Sequence, residues 1–296
     1  MDLTDVPWRR PRPRHVPGLP AWGMPAADDL THALRSNLFG GVGPAWALDD
    51  ADGSGVRVCV LDSGVGEHPL VGPIDQAWEV VTQEGRVPRV RPCEPGDDAG
   101  HGTACAGIIR QLAPRVSLSS MKVLAGGRSG SAAALLAGLH HAVEEGFDVI
   151  NMSLSTARPE YRGRLSELCD RAYFRRCTLV VAAHNLPIES FPWNFASVIS
   201  VASHAEPDPM RFYYNPAPPV EFCARGVRVP VATPGGGTMR NSGNSFAAPH
   251  IAGIAALALS KHPWLTPFQL KSVLYHCAAN VSTQGEDDEV RVERQY

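Results

Sequence analysis

The sequence predicts an α/β domain built on a mostly parallel β-sheet with helices on both faces. Three observations carry that expectation. Runs such as VRVCVL (56–61), TLVVAA (178–183) and ASVISVAS (196–203) are apolar at nearly every position, as in strands buried on both sides. Segments with apolar residues at helical spacing alternate with them. The 296 residues are 44% hydrophobic and 19% charged, ample for one large core.

Taken in order, residues 1–39 form a Pro/Arg-rich extension, 40–280 the folded domain and 281–296 a charged tail. Within the domain, 56–61 is a strand running into Asp62-Ser63-Gly64, and VSLSSMKVL (116–124) is a second. SAAALLAGLHHAVEEG (131–146) is a helix ending at Gly146, followed at once by the strand DVINMSLS (148–155). RGRLSELCDRAYFRRC (162–177) is an amphipathic helix ahead of the 178–183 strand. A helix opens near Asn244-Ser245, and a last one opens with Thr266 as cap and Pro267 in first position, ending near Cys277. Asp62, Ser155 and Asn185 all fall just past strand ends, where parallel sheets bind ligands.

Bulk composition excludes several classes. The net charge is −3, without the basic field that nucleic acid requires. No apolar run is long enough to cross a membrane, and the N-terminal stretch has no apolar secretory core. Seven cysteines with no C-x-x-C point to buried free thiols in a reducing compartment, with neither a disulfide framework nor a zinc site. A cytoplasmic protein is the expectation. His140-His141 and His250 lack metal-ligand spacing and read as helix surface and helix interior.

Three segments suggest chemistry. Ser245 stands where small residues give way to a long apolar helix, with Pro249 expected in that helix's first turn, where a missing N–H is harmless. A helix N-terminus favours a developing negative oxygen, although a lone serine there is equally an ordinary cap. His101, between Gly100 and Gly102, is a candidate base ahead of a helix expected from Thr103. Asp62, at a strand end, is a candidate orienting acid.

VCVLDSGV, GHGTACAGI and GNSFAAPHIAG resemble the three signature segments of the subtilisin-like (subtilase) serine proteases, and VINMSLS and VVAAHN resemble two more, all in family order. The resemblance implies a three-layer subtilisin-like fold over 40–280 and a serine endopeptidase with the triad Asp62, His101 and Ser245. It implies Asn185 as oxyanion donor. Ser153, Leu154, Ser155 and Arg128, Ser129, Gly130 would be the two edges that sandwich an extended peptide substrate. Ala132, Leu135 and Leu154 are expected to line an apolar pocket. His184 stands where the family has Gly, and either narrows the primary pocket, bonds the substrate or turns inward. Glu189 and Ser190 are expected at that pocket's floor, an inward Glu189 favouring basic residues. Cys105, one turn after His101, resembles the thiol of the proteinase K branch and implies sensitivity to mercurials.

The family's calcium loop has no room between His101 and Lys122, so no metal or other cofactor is expected there. Compartment and size suggest processing, such as leader removal from a precursor peptide. The rival readings are a silent peptide-binding module on the same fold, and an esterase or transacylase using the same triad.

Overall fold

The computed structural model describes residues 41–83, 86–124 and 130–281. The chain divides into two units, Met1–Val42 and Gly43–Tyr296. The first lies almost wholly outside the described residues, as does the tail beyond Val281, so the expected extension and tail are not described.

In the second unit the elements run α1 (Pro44–Leu48), β1 (Arg57–Asp62), β2 (Gly64–Val65), β3 (Gln76–Val81), β4 (Arg89–Pro92), β5 (Gly96–Asp97), α2 (His101–Leu112), β6 (Ser117–Lys122), α3 (Ala132–Glu144), β7 (Val149–Met152), α4 (Arg162–Phe174), β8 (Thr178–Ala182), β9 (Ile199–His204), β10 (Phe212–Tyr214), β11 (Phe222–Arg225), β12 (Val229–Ala232), β13 (Thr238–Asn241), α5 (Asn244–Lys261) and α6 (Pro267–Cys277). Nine strands form one sheet in the order β10-β11-β9-β8-β7-β1-β6-β3-β4. The pairs from β11 through to β3 are parallel, and the outer pairs β10–β11 and β3–β4 are antiparallel.

The chain moves from β1 to β6 on one flank and then to β7 on the other. That reversal opens a crevice at the carboxyl end of β1. Strand alternation decides what faces it. Cys59 and Leu61 pack into the core with α3 and α4. Val58, Val60 and Asp62 have the opposite parity and point to the face covered by α2 and α5. Asp62 therefore ends β1 on the layer that supplies its partners.

The helix α5 is buried at every position from Phe246 to Leu259. It is apolar all round because sheet and helices enclose it, so it has no polar face to display. At the far end, Thr266 and Gln269 form a reciprocal capping box and Pro267 takes the first turn of α6. The expected strands and helices thus stand within a few residues of their predicted bounds. Two starts differ. His101 itself opens α2, because Gly100 adopts the left-handed conformation (φ 75°) and Asp97 caps the turn. Pro249 lies not in the first turn of α5 but inside the helix, which begins at Asn244.

The link from α2 to β6 is short and is closed by one side chain. Arg110 Nε donates to the Val71 carbonyl (2.8 Å) and Nη2 to that of Pro73 (3.1 Å). Its Nη1 donates to the carbonyls of Pro114 (3.0 Å) and Val116 (2.6 Å). A fixed cation thus gathers four carbonyl oxygens in the link where the family's calcium loop would fall. These donors do not fit calcium: a divalent ion about 4 Å from the guanidinium would be repelled by about 8 kcal/mol at an effective dielectric of 20. Replacing Arg110 by Met keeps the stem but strips the carbonyls of their donors. We expect it to lower the thermal midpoint by about 5–10 °C, given roughly 2–4 °C per kcal/mol at this size. Calorimetry checks it, and wild-type midpoints equal with and without a chelator are the companion result.

Candidate active site

Asp62 is wholly buried, and its Oδ1 accepts the Ser63 N–H at 2.7 Å. The Nδ1 of His101 donates to both carboxylate oxygens, at 2.8 and 3.0 Å. With the proton on Nδ1, Nε2 is the basic nitrogen. The two segments meet closely. A Cβ on Gly102 would fall 2.0 Å from the Gly64 carbonyl, so no larger residue fits after His101.

Asp97, which sequence reasoning did not single out, locks this junction. Its carboxylate accepts from the N–H groups of Ala99, Gly100 and Thr103, from Thr103 Oγ1 and from Ser63 Oγ, at 2.7–3.0 Å. Ser63 Oγ in turn accepts the Gly102 N–H at 3.0 Å. One carboxylate therefore caps the helix carrying His101 and holds the turn carrying Asp62. The available signal was an acid just before a Gly-flanked helix start, a pattern shared with ordinary caps.

Ser245 is second in α5. Asn185 Oδ1 accepts the Asn244 N–H at 2.9 Å, and the Phe246 N–H bonds Gly243. The Ser245 N–H is left to the cleft, as the first-turn donors of any helix lack internal partners. The Asn185 bond also orients its amide, so that Nδ2 is the donor turned outward. Asn244 completes the support: its Nδ2 donates to the carbonyls of Ala183 and His184, and its Oδ1 accepts from Ser203. Gly243 sits at φ 157°, and a Cβ there would lie 3.2 Å from Ser245 Oγ and 3.5 Å from Asn185 Nδ2. A side chain would fill the space where an oxyanion must sit.

Pro249 lies four residues after Ser245 inside α5, so the Ser245 carbonyl has no helical N–H to accept. Ser153 Oγ supplies the missing donor at 2.7 Å and is itself bonded by Asn151 Nδ2. Cys105 Sγ lies 3.5 Å from both Ser153 Oγ and the Ser245 carbonyl. Burial pushes that thiol well above its ordinary pKa. The nucleophile's peptide unit is thereby tied to the end of β7.

His101, Asn185 and Ser245 open on one cleft of about 420 Å³. Ser153, Leu154 and Ser155 line one side of it, and Gly130, Ala132 and Leu135 another. Arg128 and Ser129 lie outside the described residues. His184 also lines the cleft, its Nδ1 accepting the Leu186 N–H at 3.0 Å. Ser190 is wholly buried directly behind the cleft-lining Ser155, their Oγ atoms 3.0 Å apart, because Thr156 and Phe191 pair as a β-bridge and carry it inward. Glu189 is exposed on a neighbouring hollow, not at the cleft floor. His250 donates from Nδ1 to the Phe246 carbonyl and burial lowers its pKa to about 4, so it is a neutral helix residue. His140 is exposed on α3, and all seven cysteines are free thiols.

Comparison with known proteins adds independent findings. A model of the Subtilase family matches residues 53–292. Subtilisin DY of Bacillus licheniformis is 34% identical over 245 residues, covering 77% of this chain and 85% of its own. Alkaline elastase YaB of Bacillus sp. (strain YaB) is 30% identical over 242 residues, and the match spans 77% of this chain but 61% of that protein. Among solved structures, a cold adapted subtilisin-like serine proteinase aligns with TM-score 0.63 at 27% identity, covering 76% of this chain and 83% of that one. Sphericase aligns over the same shares with TM-score 0.64 at 27% identity.

Two predictions come from the packing under Ser245. Ser153→Ala leaves the Ser245 carbonyl only the weak thiol donor of Cys105 and should lower kcat roughly tenfold, matching about 1–2 kcal/mol for a poorly satisfied group. Adding Pro249→Ala restores a helical N–H and should recover part of that loss; additive losses in the double variant would show the two residues are not coupled. An organomercurial should inactivate the wild type, slowly given the thiol's burial. Cys105→Ala should keep activity and lose the sensitivity, and full inhibition of that variant refutes the assignment.

Proposed function

The chain belongs to the subtilase family and is a subtilisin-like serine protease, and from that premise we propose how its own residues hydrolyse a peptide bond. Ser245 Oγ attacks the scissile carbonyl. His101 Nε2 takes the proton and returns it to the leaving amine, forming an acyl-enzyme that water then hydrolyses. Asp62 holds the Nδ1 tautomer and stabilises the imidazolium. Asn185 Nδ2 and the Ser245 N–H donate to the oxygen as its charge develops. The observation that carries this reading is the bond from His101 to a wholly buried Asp62, in a cleft shared with Ser245 and Asn185.

The substrate we propose is an extended peptide or protein segment laid between the 153–155 edge and the edge at Gly130. Its backbone would pair with these edges while alternate side chains enter pockets. Ala132, Leu135 and Leu154 offer the apolar one. We further propose an intracellular processing role, such as leader removal from a precursor, with no calcium held between α2 and β6. Free thiols at every cysteine support the compartment, and the carbonyls gathered by Arg110 support the absence of metal at that link.

A fluorophosphonate probe should label the protein at Ser245 and leave Ser245→Ala unlabelled. Asn185→Ala should retain labelling but lose about 100- to 1000-fold in peptide turnover. Absence of labelling in the wild type would make the fold a binding module, and turnover of esters without peptides would make it an esterase.

A further inference from the structure

The two donors that meet a developing oxyanion stand on different elements of the chain. Asn185 belongs to the segment that follows β8, and Ser245 belongs to the first turn of α5. The gap between them is set by whatever joins those elements. Among the described residues, every hydrogen bond between residues 183–185 and the start of α5 is made by Asn244. Its N–H donates to Asn185 Oδ1 at 2.9 Å. Its Nδ2 donates to the carbonyls of Ala183 at 3.2 Å and His184 at 3.4 Å.

The other end of the same amide is anchored on β9. Asn244 Oδ1 accepts the Ser203 N–H at 2.9 Å and the Ser203 hydroxyl at 2.8 Å. A carboxamide has two protons to donate and an oxygen that accepts twice, so its full capacity is used here. Reversed, the amide would turn its protons on the Ser203 N–H and its oxygen on two carbonyls, which leaves one orientation open to it. Gly226 makes room for the anchor: a Cβ there would fall 2.2 Å from Ser203 Oγ. One side chain therefore ties β9, the end of β8 and the start of α5 together.

Such a tie matters because oxyanion donors work only over a narrow range, about 2.7–3.1 Å. A misplacement of about 1 Å at a reacting centre can cost on the order of 100-fold in rate.

We propose that Asn244 is a positioning residue that sets the separation of Asn185 Nδ2 and the Ser245 N–H, with Ser203 as its anchor. It acts through those two donors. This rests on the protease reading above.

The test compares a peptide aldehyde with the matching peptide alcohol as inhibitors. Ser245 Oγ adds to the aldehyde carbon, its proton passes to His101, and the former carbonyl oxygen takes the negative charge between the two donors. The alcohol has no carbonyl to attack and reads only the contacts of the unreacted peptide. Asn244→Ala should lower kcat and the aldehyde's affinity together, each about 10- to 100-fold, with KM and the alcohol's affinity held within about twofold. The inhibitor affinities do not depend on the folded fraction. The loss should also require Asn185: in the Asn185→Ala background, Asn244→Ala should cost less than about threefold more. Should Asn244→Ala fail to fold, Ser203→Ala, which keeps the Ser203 N–H, carries the same comparison with an expected loss of about threefold to fivefold. Aldehyde affinity unmoved in these variants, or a loss just as large without Asn185, overturns the proposal while leaving the protease reading intact. If no peptide is cleaved and the fluorophosphonate leaves Ser245 unlabelled, the protease reading itself falls and takes this inference with it.

Discussion

A carboxylate wholly removed from water is expensive unless its oxygens are bonded, and the active site is built around meeting that demand at Asp62. The Ser63 N–H and the His101 imidazole satisfy it, and both are fixed by groups that never touch substrate. Asp97 binds the Ser63 hydroxyl and the first turn of α2 with one side chain. The acid and the base are thus held by a common hub. Displacing either would leave a buried charge short of a partner, which is why the glycines at this junction allow such close approach.

The nucleophile is fixed by a different logic. Pro249 removes a helical donor, and Ser153 replaces it from the neighbouring strand end. The Asn185 side chain plays two parts at once: its oxygen is engaged by the Asn244 N–H, which turns its nitrogen toward the cleft. Groups that will hold negative charge are therefore oriented before any substrate arrives, and such preorganisation is what lowers the barrier.

Much of this was legible in the sequence because the central strands are buried on both faces and the long helices have clean periodicity. Strands β1, β6, β7, β8 and β9 and helices α3, α4 and α6 all announced themselves that way, and the triad followed from one strand end, two helix starts and the family resemblance of the segments around them. The edge strands did not. In β4 and β13 nearly every residue is exposed, so neither alternation nor an apolar run marks them. Pro249 was misplaced for a related reason. Its setting depends on the residue at which a helix begins, which local pattern does not specify. Asp97 reads as one capping acid in a loop, because four of its five donors are local, and only the fold brings in Ser63, which makes it a hub for the site.

The full enclosure of α5 has a consequence for how the molecule fails. A helix with no solvent-facing side from Phe246 to Leu259 cannot fray or swing aside locally; its amides exchange with water only when the surrounding layers come apart. Ser245 rides on that helix, so it belongs to the last cooperative unit to open, and its activity persists as long as the core remains closed. Inactivation by heat and loss of the folded state are then a single event.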